Sequence, residues 1–250
     1  MWFDLQAPIV IAHRGASLHA PENTLAAFDL AVRSGADAIE FDLKLTSDGE
    51  VVVLHDPTVD RTTDGSGRVM QMTLAQVRAL DAGAKFAPQF RGERIPTLDE
   101  VFSAVGSRVC MNIELANYAS PFDGLVARVA EVVKKHQLQN RILFSSFLDW
   151  NLNRAHRLLP EVPVGLLTMR GWMGWWGRTF TWRRNGYQAF HPFYTDVAAS
   201  QVDRAHAAGK RVNVWTVNAE ADMRRMIGLG IDALITDDPA LACRLLGRAK

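Results

Sequence analysis

The sequence predicts a (β/α)8 TIM barrel, with residues 1–250 forming one domain and a small insertion following the second strand. Two observations predict it. Short apolar runs rich in β-branched residues alternate with longer amphipathic stretches, which is the pattern of repeated βα units around a parallel sheet. The runs also number eight, enough to close a barrel, in a chain of 250 residues, a usual length for that fold. The eight runs are Pro8 to His13, Ala38 to Leu43, Val109 to Leu115, Arg141 to Ser145, Val162 to Thr168, Ala189 to His191, Arg211 to Thr216 and Ala233 to Thr236. Helical periodicity follows nearly all of them: Thr24 to Ser34, Leu98 to Val105, Phe122 to His136, Leu148 to Leu158, Gln201 to Ala208, Glu220 to Leu229 and Pro239 to Gly247.

Two segments break the rhythm. After the Asp48-Gly49 turn, a strand-like VVVLH run opens an excursion from Val51 to about Pro96, punctuated by Gly and Asp. Its body, about 56–96, is long enough for a lid or small subdomain. The other segment, 170–185, sets Trp172, Trp175, Trp176 and Trp182 among Arg170, Arg178, Arg183 and Arg184.

Composition narrows the function. At 48% hydrophobic and 22% charged, the chain is of ordinary globular character. A chain this long buries roughly 75% of its unfolded surface, so its core needs no staples. A formal net charge of +1 supplies no global field for nucleic acid or an acidic membrane, so any phosphate recognition is local. Cys110 and Cys243 lie in apolar surroundings without metal or CxxC spacing and read as reduced core thiols. The first residues lack a basic stretch and a long apolar run, so no signal peptide or membrane span is expected and the location reads as cytoplasmic.

In a (β/α)8 barrel the chemistry lies at the C-terminal ends of the strands, and polar residues fall there. The first strand ends in His13-Arg14-Gly15, the second in Glu40-Phe41-Asp42, the third in Asn112-Ile113-Glu114, and the excursion's strand in His55-Asp56. Glu40 and Asp42, two apart in an extended run, project from one face about 7 Å apart. Such like charges repel unless a cation sits between them. Glu114 on the next strand supplies a third oxygen, and an all-oxygen set without thiolate favours a hard ion, Mg2+ or Ca2+. Singly, each would be an ordinary surface acid; together they point to one divalent cation. His13 and His55 flank the cluster and suit general acid–base work near neutral pH. Arg14 offers a planar fork of donors for phosphate oxygens, or else pairs with a barrel carboxylate. Glu22 and Asn23 precede a helix beginning near Thr24, so Asn23 is a candidate N-cap that also lines the site.

These residues resemble the signature of the glycerophosphodiester phosphodiesterase family. The match runs through His13-Arg14-Gly15, Pro21-Glu22-Asn23-Thr24, Gly35-Ala36-Asp37, Glu40-Phe41-Asp42, Thr46-Ser47-Asp48-Gly49 and His55-Asp56. It continues in order through Thr62-Thr63-Asp64-Gly65, Ile95-Pro96-Thr97-Leu98, Asn112-Ile113-Glu114, Ser145-Ser146-Phe147, Val212 to Asn218 and Asp232 to Pro239. The resemblance implies a barrel with an insertion after strand two, metal ligands Glu40, Asp42 and Glu114, and acid–base histidines His13 and His55. It also implies a phosphate and substrate site drawing on Arg14, Glu22, Asn23, Phe147 and Trp215. One departure stands out: where the family usually has a lysine two residues after the third acidic ligand, this chain has Ala116. Lys44, on the same strand face as Glu40 and Asp42, is a substitute unless it is merely an exposed loop lysine.

The activity implied is metal-dependent hydrolysis of a small glycerophosphodiester to sn-glycerol 3-phosphate and an alcohol, a step of glycerol and lipid metabolism. The resemblance adds that the glycerol 2-hydroxyl attacks first, giving a cyclic intermediate that water opens. Two alternatives remain: a lysophospholipase D-like enzyme acting on lipids at a membrane surface, and a catalytically silent phosphate-binding barrel. The first gains from the Trp/Arg segment, since Trp172, Trp175, Trp176 and Trp182 have the composition of an interfacial anchor. Those tryptophans otherwise pack on the barrel.

Overall fold

In the second strand, period-2 alternation decides both the fold and the site. Ile39, Phe41 and Leu43 point to the surrounding helices, while Ala38, Glu40, Asp42 and Lys44 point inward. All of them are buried, as a strand covered on both faces requires. The structure is a computed structural model that describes residues 2–183 and 186–248. Arg184 and Asn185, in the Trp/Arg segment, lie outside the described residues.

The elements run β1 (Ile9–His13), α1 (Leu25–Arg33), β2 (Ala38–Leu45), β3 (Val51–Val53), α2 (Leu74–Arg78), α3 (Leu98–Val105), β4 (Cys110–Glu114), α4 (Leu125–His136) and β5 (Ile142–Ser146). They continue with α5 (Asp149–Leu158), β6 (Val164–Leu167), α6 (Trp175–Thr179), β7 (Ala189–His191), α7 (Ala199–Ala207), β8 (Arg211–Val214), α8 (Glu220–Gly228), β9 (Ala233–Thr236) and α9 (Pro239–Leu245). All strands except β3 are parallel, and pairing of β1 with both β9 and β2 closes them into an eight-stranded barrel. Each of the eight expected runs overlaps one of its strands, β2 and β5 running on to Leu45 and Ser146.

Two apolar layers fill the barrel. The larger lies between strands and helices and includes Phe41, Phe144, Phe190 and Leu98. A smaller plug inside the barrel joins Trp2, Ile9, Ile11, Leu143 and Ile235. Cys110 belongs to the plug and Cys243 to the outer layer, both as buried free thiols.

The excursion after β2 begins with β3, which turns back antiparallel on the end of β2, Leu43 opposite Val53. The remainder folds around its own cluster of Leu54, Val59, Val69, Val77 and Ile95. It rejoins the barrel at α3, where Thr97 and Glu100 form a reciprocal capping box.

Two expectations need correcting. The N-cap of α1 is Thr24, whose hydroxyl accepts from the Ala27 N–H. Asn23 instead takes a left-handed conformation, φ 59°, that frees its amide for the site. Trp182 does not belong to an exposed anchor: it is 3% exposed and packs on Phe190, ring centroids 5.7 Å apart. Trp172, Trp175 and Trp176 are exposed.

Candidate active site

Strand register assembles the site. His13 pairs with Glu40 and Glu40 with Asn112 at one level, and Asp42 pairs with Glu114 at the next. Ligand-capable oxygens of Glu40, Asp42 and Glu114 lie within 4.8 Å of one another. Burial pushes the Glu40 carboxyl well above its usual range, and the neighbouring charges of Asp42 and Glu114 push it further. Burial and then Asp42 raise Glu114 to about 8. Such crowding is costly without a counter-ion and is what a cation relieves.

The surrounding groups hold these carboxylates in place. The Tyr118 hydroxyl donates to Glu114 Oε1 at 2.7 Å, the Asn23 amide to Asp42 Oδ2 at 3.2 Å, and the Arg14 backbone N–H to Glu40 Oε2 at 3.1 Å. Asn112 Oδ1 is buried with no hydrogen-bond partner. An all-oxygen set, oriented by outer hydrogen bonds and short of positive charge, fits a hard divalent cation.

Each histidine is anchored by a carboxylate. His13 Nδ1 lies 2.6 Å from Asp237 Oδ1, and His55 Nδ1 lies 2.6 Å from Asp56 Oδ1. With Nδ1–H donating to the carboxylate, the neutral ring keeps its lone pair at Nε2. His13 Nε2 stands 4.0 Å from Glu40 Oε2. Asp237 is itself held by the Asn218 amide at 2.6 Å and the Ser17 hydroxyl at 3.0 Å.

A ladder of alternating charge joins the two sides. Arg14 Nη1 donates to Glu22 at 2.8 Å and Arg14 Nε lies 3.5 Å from Asp42. Arg61 grips both Glu22 oxygens, at 2.6 and 2.8 Å, and Asp56 Oδ2 at 2.6 Å. Burial would raise Glu22, but Arg61 and Arg14 hold it down at about 2. Asp56 is likewise held at about 2 against its own burial by Arg61 and His55. Arg14 thus has both roles open to it: paired with Glu22, it also faces the cleft.

That cleft, about 110 Å³, is lined by His13, Arg14, Glu40, His55, Asn112 and Glu114 on the polar side and by Phe147 and Trp215 on the apolar side. Phe147 meets Trp215 edge-on at 5.6 Å, and the Trp215 indole N–H is fixed on the His191 carbonyl at 2.9 Å. Glu22, Asn23 and Lys44 are not among its lining residues. Glu22 and Asn23 instead hydrogen-bond to Arg14 and Asp42. Lys44 is no exposed loop residue: it is buried in β2, and its ammonium donates to the Ala116 carbonyl, the position of the missing lysine. Burial lowers its pKa against the pull of Asp42 and Glu114.

The sequence alone assigns no role to Asp56, Asp237, Arg61 or Tyr118. A signal existed for Asp237, a carboxylate at the end of the last barrel strand beside the first. Arg61 lies in the aperiodic excursion, where no pattern places a side chain.

These shifts set a pH dependence. Glu114 binds its proton more tightly folded than unfolded, so protein stripped of divalent cations loses stability as pH rises from about 4.5 to about 8. Glu22 and Asp56 have the opposite sign, and their contribution is lost as pH falls from about 4 to about 2. Thermal melts in chelator across this range are expected to show a fall on both sides. Stability that climbs steadily from pH 5 to 8 would contradict the crowding of the acidic cluster.

A barrel mouth that combines clustered carboxylates, carboxylate-anchored histidines and an arginine suits the hydrolysis of a phosphodiester. The chain matches the Glycerophosphoryl diester phosphodiesterase family over residues 13–241. It is 41% identical over 239 residues to a glycerophosphodiester phosphodiesterase of Caldanaerobacter subterraneus subsp. tengcongensis, covering 95% of this chain and 97% of the relative. A glycerophosphodiester phosphodiesterase of Bacillus altitudinis is 34% identical over 240 residues, covering 94% and 97%. Among solved structures, an Oleispira antarctica phosphodiesterase in complex with the product sn-glycerol-3-phosphate superposes with a TM-score of 0.89 at 33% identity, covering 98% of each chain. The chain belongs to the glycerophosphoryl diester phosphodiesterase family and is an enzyme of that class. The catalytically silent alternative is thereby set aside.

Proposed function

We propose that this enzyme hydrolyses a small glycerophosphodiester to sn-glycerol 3-phosphate and an alcohol, with His13 and His55 transferring the protons beside a divalent cation. The observation that carries this reading is the juxtaposition of three crowded carboxylates with two histidines whose Nδ1 atoms are each engaged by an aspartate. The relative from Oleispira antarctica, which has sn-glycerol-3-phosphate bound as product, supports the choice of substrate.

Glu40, Asp42 and Glu114 would hold the cation, Mg2+ or Ca2+, which when bound polarises the phosphoryl oxygens and offsets their charge. Arg14 presents its guanidinium to a nonbridging oxygen and stays ionised, since Asp42, Glu22 and Glu40 outweigh the effect of its burial. One histidine accepts the nucleophile's proton at Nε2. The other, protonated, donates from Nε2 to the leaving alcohol oxygen as its bond to phosphorus breaks. Asp237 and Asp56 fix the rings and favour the imidazolium that forms. Phe147 and Trp215 shield the reacting groups and pack against the glycerol carbons.

Phosphorus NMR of purified protein incubated with glycerophosphocholine or glycerophosphoethanolamine, in Mg2+ or Ca2+, tests the reading. Both substrates are expected to yield sn-glycerol 3-phosphate. A phosphorylated head group as the product would place the broken bond on the wrong side of phosphorus.

A further inference from the structure

Tyr118 touches two parts of the site at once. It lies on the connection after β4, four residues beyond Glu114, and is 39% exposed. Its hydroxyl donates to Glu114 Oε1 at 2.7 Å and accepts from the Phe147 backbone N–H at 3.3 Å. Its ring meets Phe147 edge-on, centroids 5.7 Å apart, and Phe147 in turn meets Trp215. One side chain therefore contacts both a carboxylate of the acidic cluster and the aromatic wall of the cleft.

The direction of the hydroxyl bond is set by its neighbours. A phenol has one proton to give, and because the Phe147 N–H already occupies a lone pair as a donor, that proton goes to the carboxylate. The backbone that carries Tyr118 is held as firmly. The Leu115 carbonyl accepts from the Ser146 hydroxyl at 2.9 Å and the Asn151 amide at 3.1 Å, and the Ala116 carbonyl accepts from the Lys44 ammonium. The Asn117 amide donates to Asp123 at 2.8 Å, and its oxygen accepts from Asn151 at 2.7 Å. Leu115, Ala116 and Asn117 are all buried. The Lys44 ammonium also stands 6.0 Å from the centroid of the Tyr118 ring. An ordinary surface tyrosine needs none of this support. Here it aims an exposed side chain at two fixed partners.

We propose that Tyr118 is a positioning residue with two separable parts: its hydroxyl orients Glu114 for the cation, and its ring holds Phe147, and through it Trp215, against the substrate. The proposal rests on the catalytic reading above and adds the residue that ties cation binding to substrate binding. Without the hydroxyl, the Glu114 carboxylate loses the bond that fixes its rotation while the ring contact with Phe147 remains. Without the ring, Phe147 also loses the side chain it packs on.

The test is calorimetric titration of Mg2+ and Ca2+ into cation-stripped protein, followed by kinetics on glycerophosphocholine at saturating cation, with a thermal melt of each variant. Tyr118→Phe keeps the ring, and is expected to weaken cation binding about 10–100-fold. Its kcat and KM should return close to wild type once cation saturates. Tyr118→Leu should weaken cation binding similarly and also raise KM about fivefold at saturating cation. Wild-type cation affinity in Tyr118→Phe overturns the proposal. So does a wild-type KM in Tyr118→Leu, or variants whose only change is a lower melting temperature. Wild type that binds neither cation overturns the catalytic reading as well, which keeps the two failures apart.

Discussion

Replacing His13 or His55 by alanine is expected to lower turnover on glycerophosphocholine by about 100-fold or more while the barrel stays folded. The size of the effect follows from the proposed mechanism, in which each ring carries one of the two proton transfers and in alanine variants water must replace it. The fold should survive because neither ring supports the core. The His13 side chain is 19% exposed and that of His55 41% exposed, and both lie at the barrel mouth. Their anchors give a graded control. Asp237→Asn keeps a hydrogen-bonding group on His13 but removes the charge that favours its protonated form, so it should fall between wild type and His13→Ala. Steady-state kinetics with a thermal melt of each variant decides the matter. Near-normal turnover in either alanine variant would remove that histidine from the mechanism.

The acidic cluster gives the second large effect, and it has two signs. Glu114→Gln removes one of the crowded carboxylates, so the cation-free protein should become more stable near pH 8, where the wild-type carboxyl gives up its proton. The same change should weaken Mg2+ or Ca2+ binding by more than about 10–100-fold, the usual loss when an outer hydrogen-bond partner alone is removed. Activity should fall with affinity. Calorimetric titration of each cation, with melts in chelator, separates the two effects. A variant less stable without cation, or one that binds cation as well as wild type, would show that Glu114 is a structural acid.

Much of this arrangement was legible in the sequence because barrel geometry converts position along a strand into position in space. His13 and Glu114 each end an apolar run, Glu40 and Asp42 alternate on the inward face of β2, and parallel pairing brings the four together. What remained hidden depends on closure and on aperiodic chain. Asp237 reaches His13 across 224 residues because β9 closes on β1. Arg61 bridges Glu22 and Asp56 from an excursion whose path follows no repeat. Asn23 was readable as a cap, but a left-handed turn moved capping to Thr24 and sent the Asn23 amide to Asp42. The tryptophans show the limit most plainly. Trp176 and Trp182 share one composition, yet only Trp182 is turned inward, onto Phe190, and no period in so short a segment tells them apart.

The most direct measurement of the central claim is release of sn-glycerol 3-phosphate from glycerophosphocholine by protein first stripped of divalent cations. Release is expected to stop in chelator, to return when Mg2+ or Ca2+ is added to wild type, and not to return at the same cation concentration for Glu114→Gln. Equal release by the stripped and cation-loaded enzyme would contradict the account.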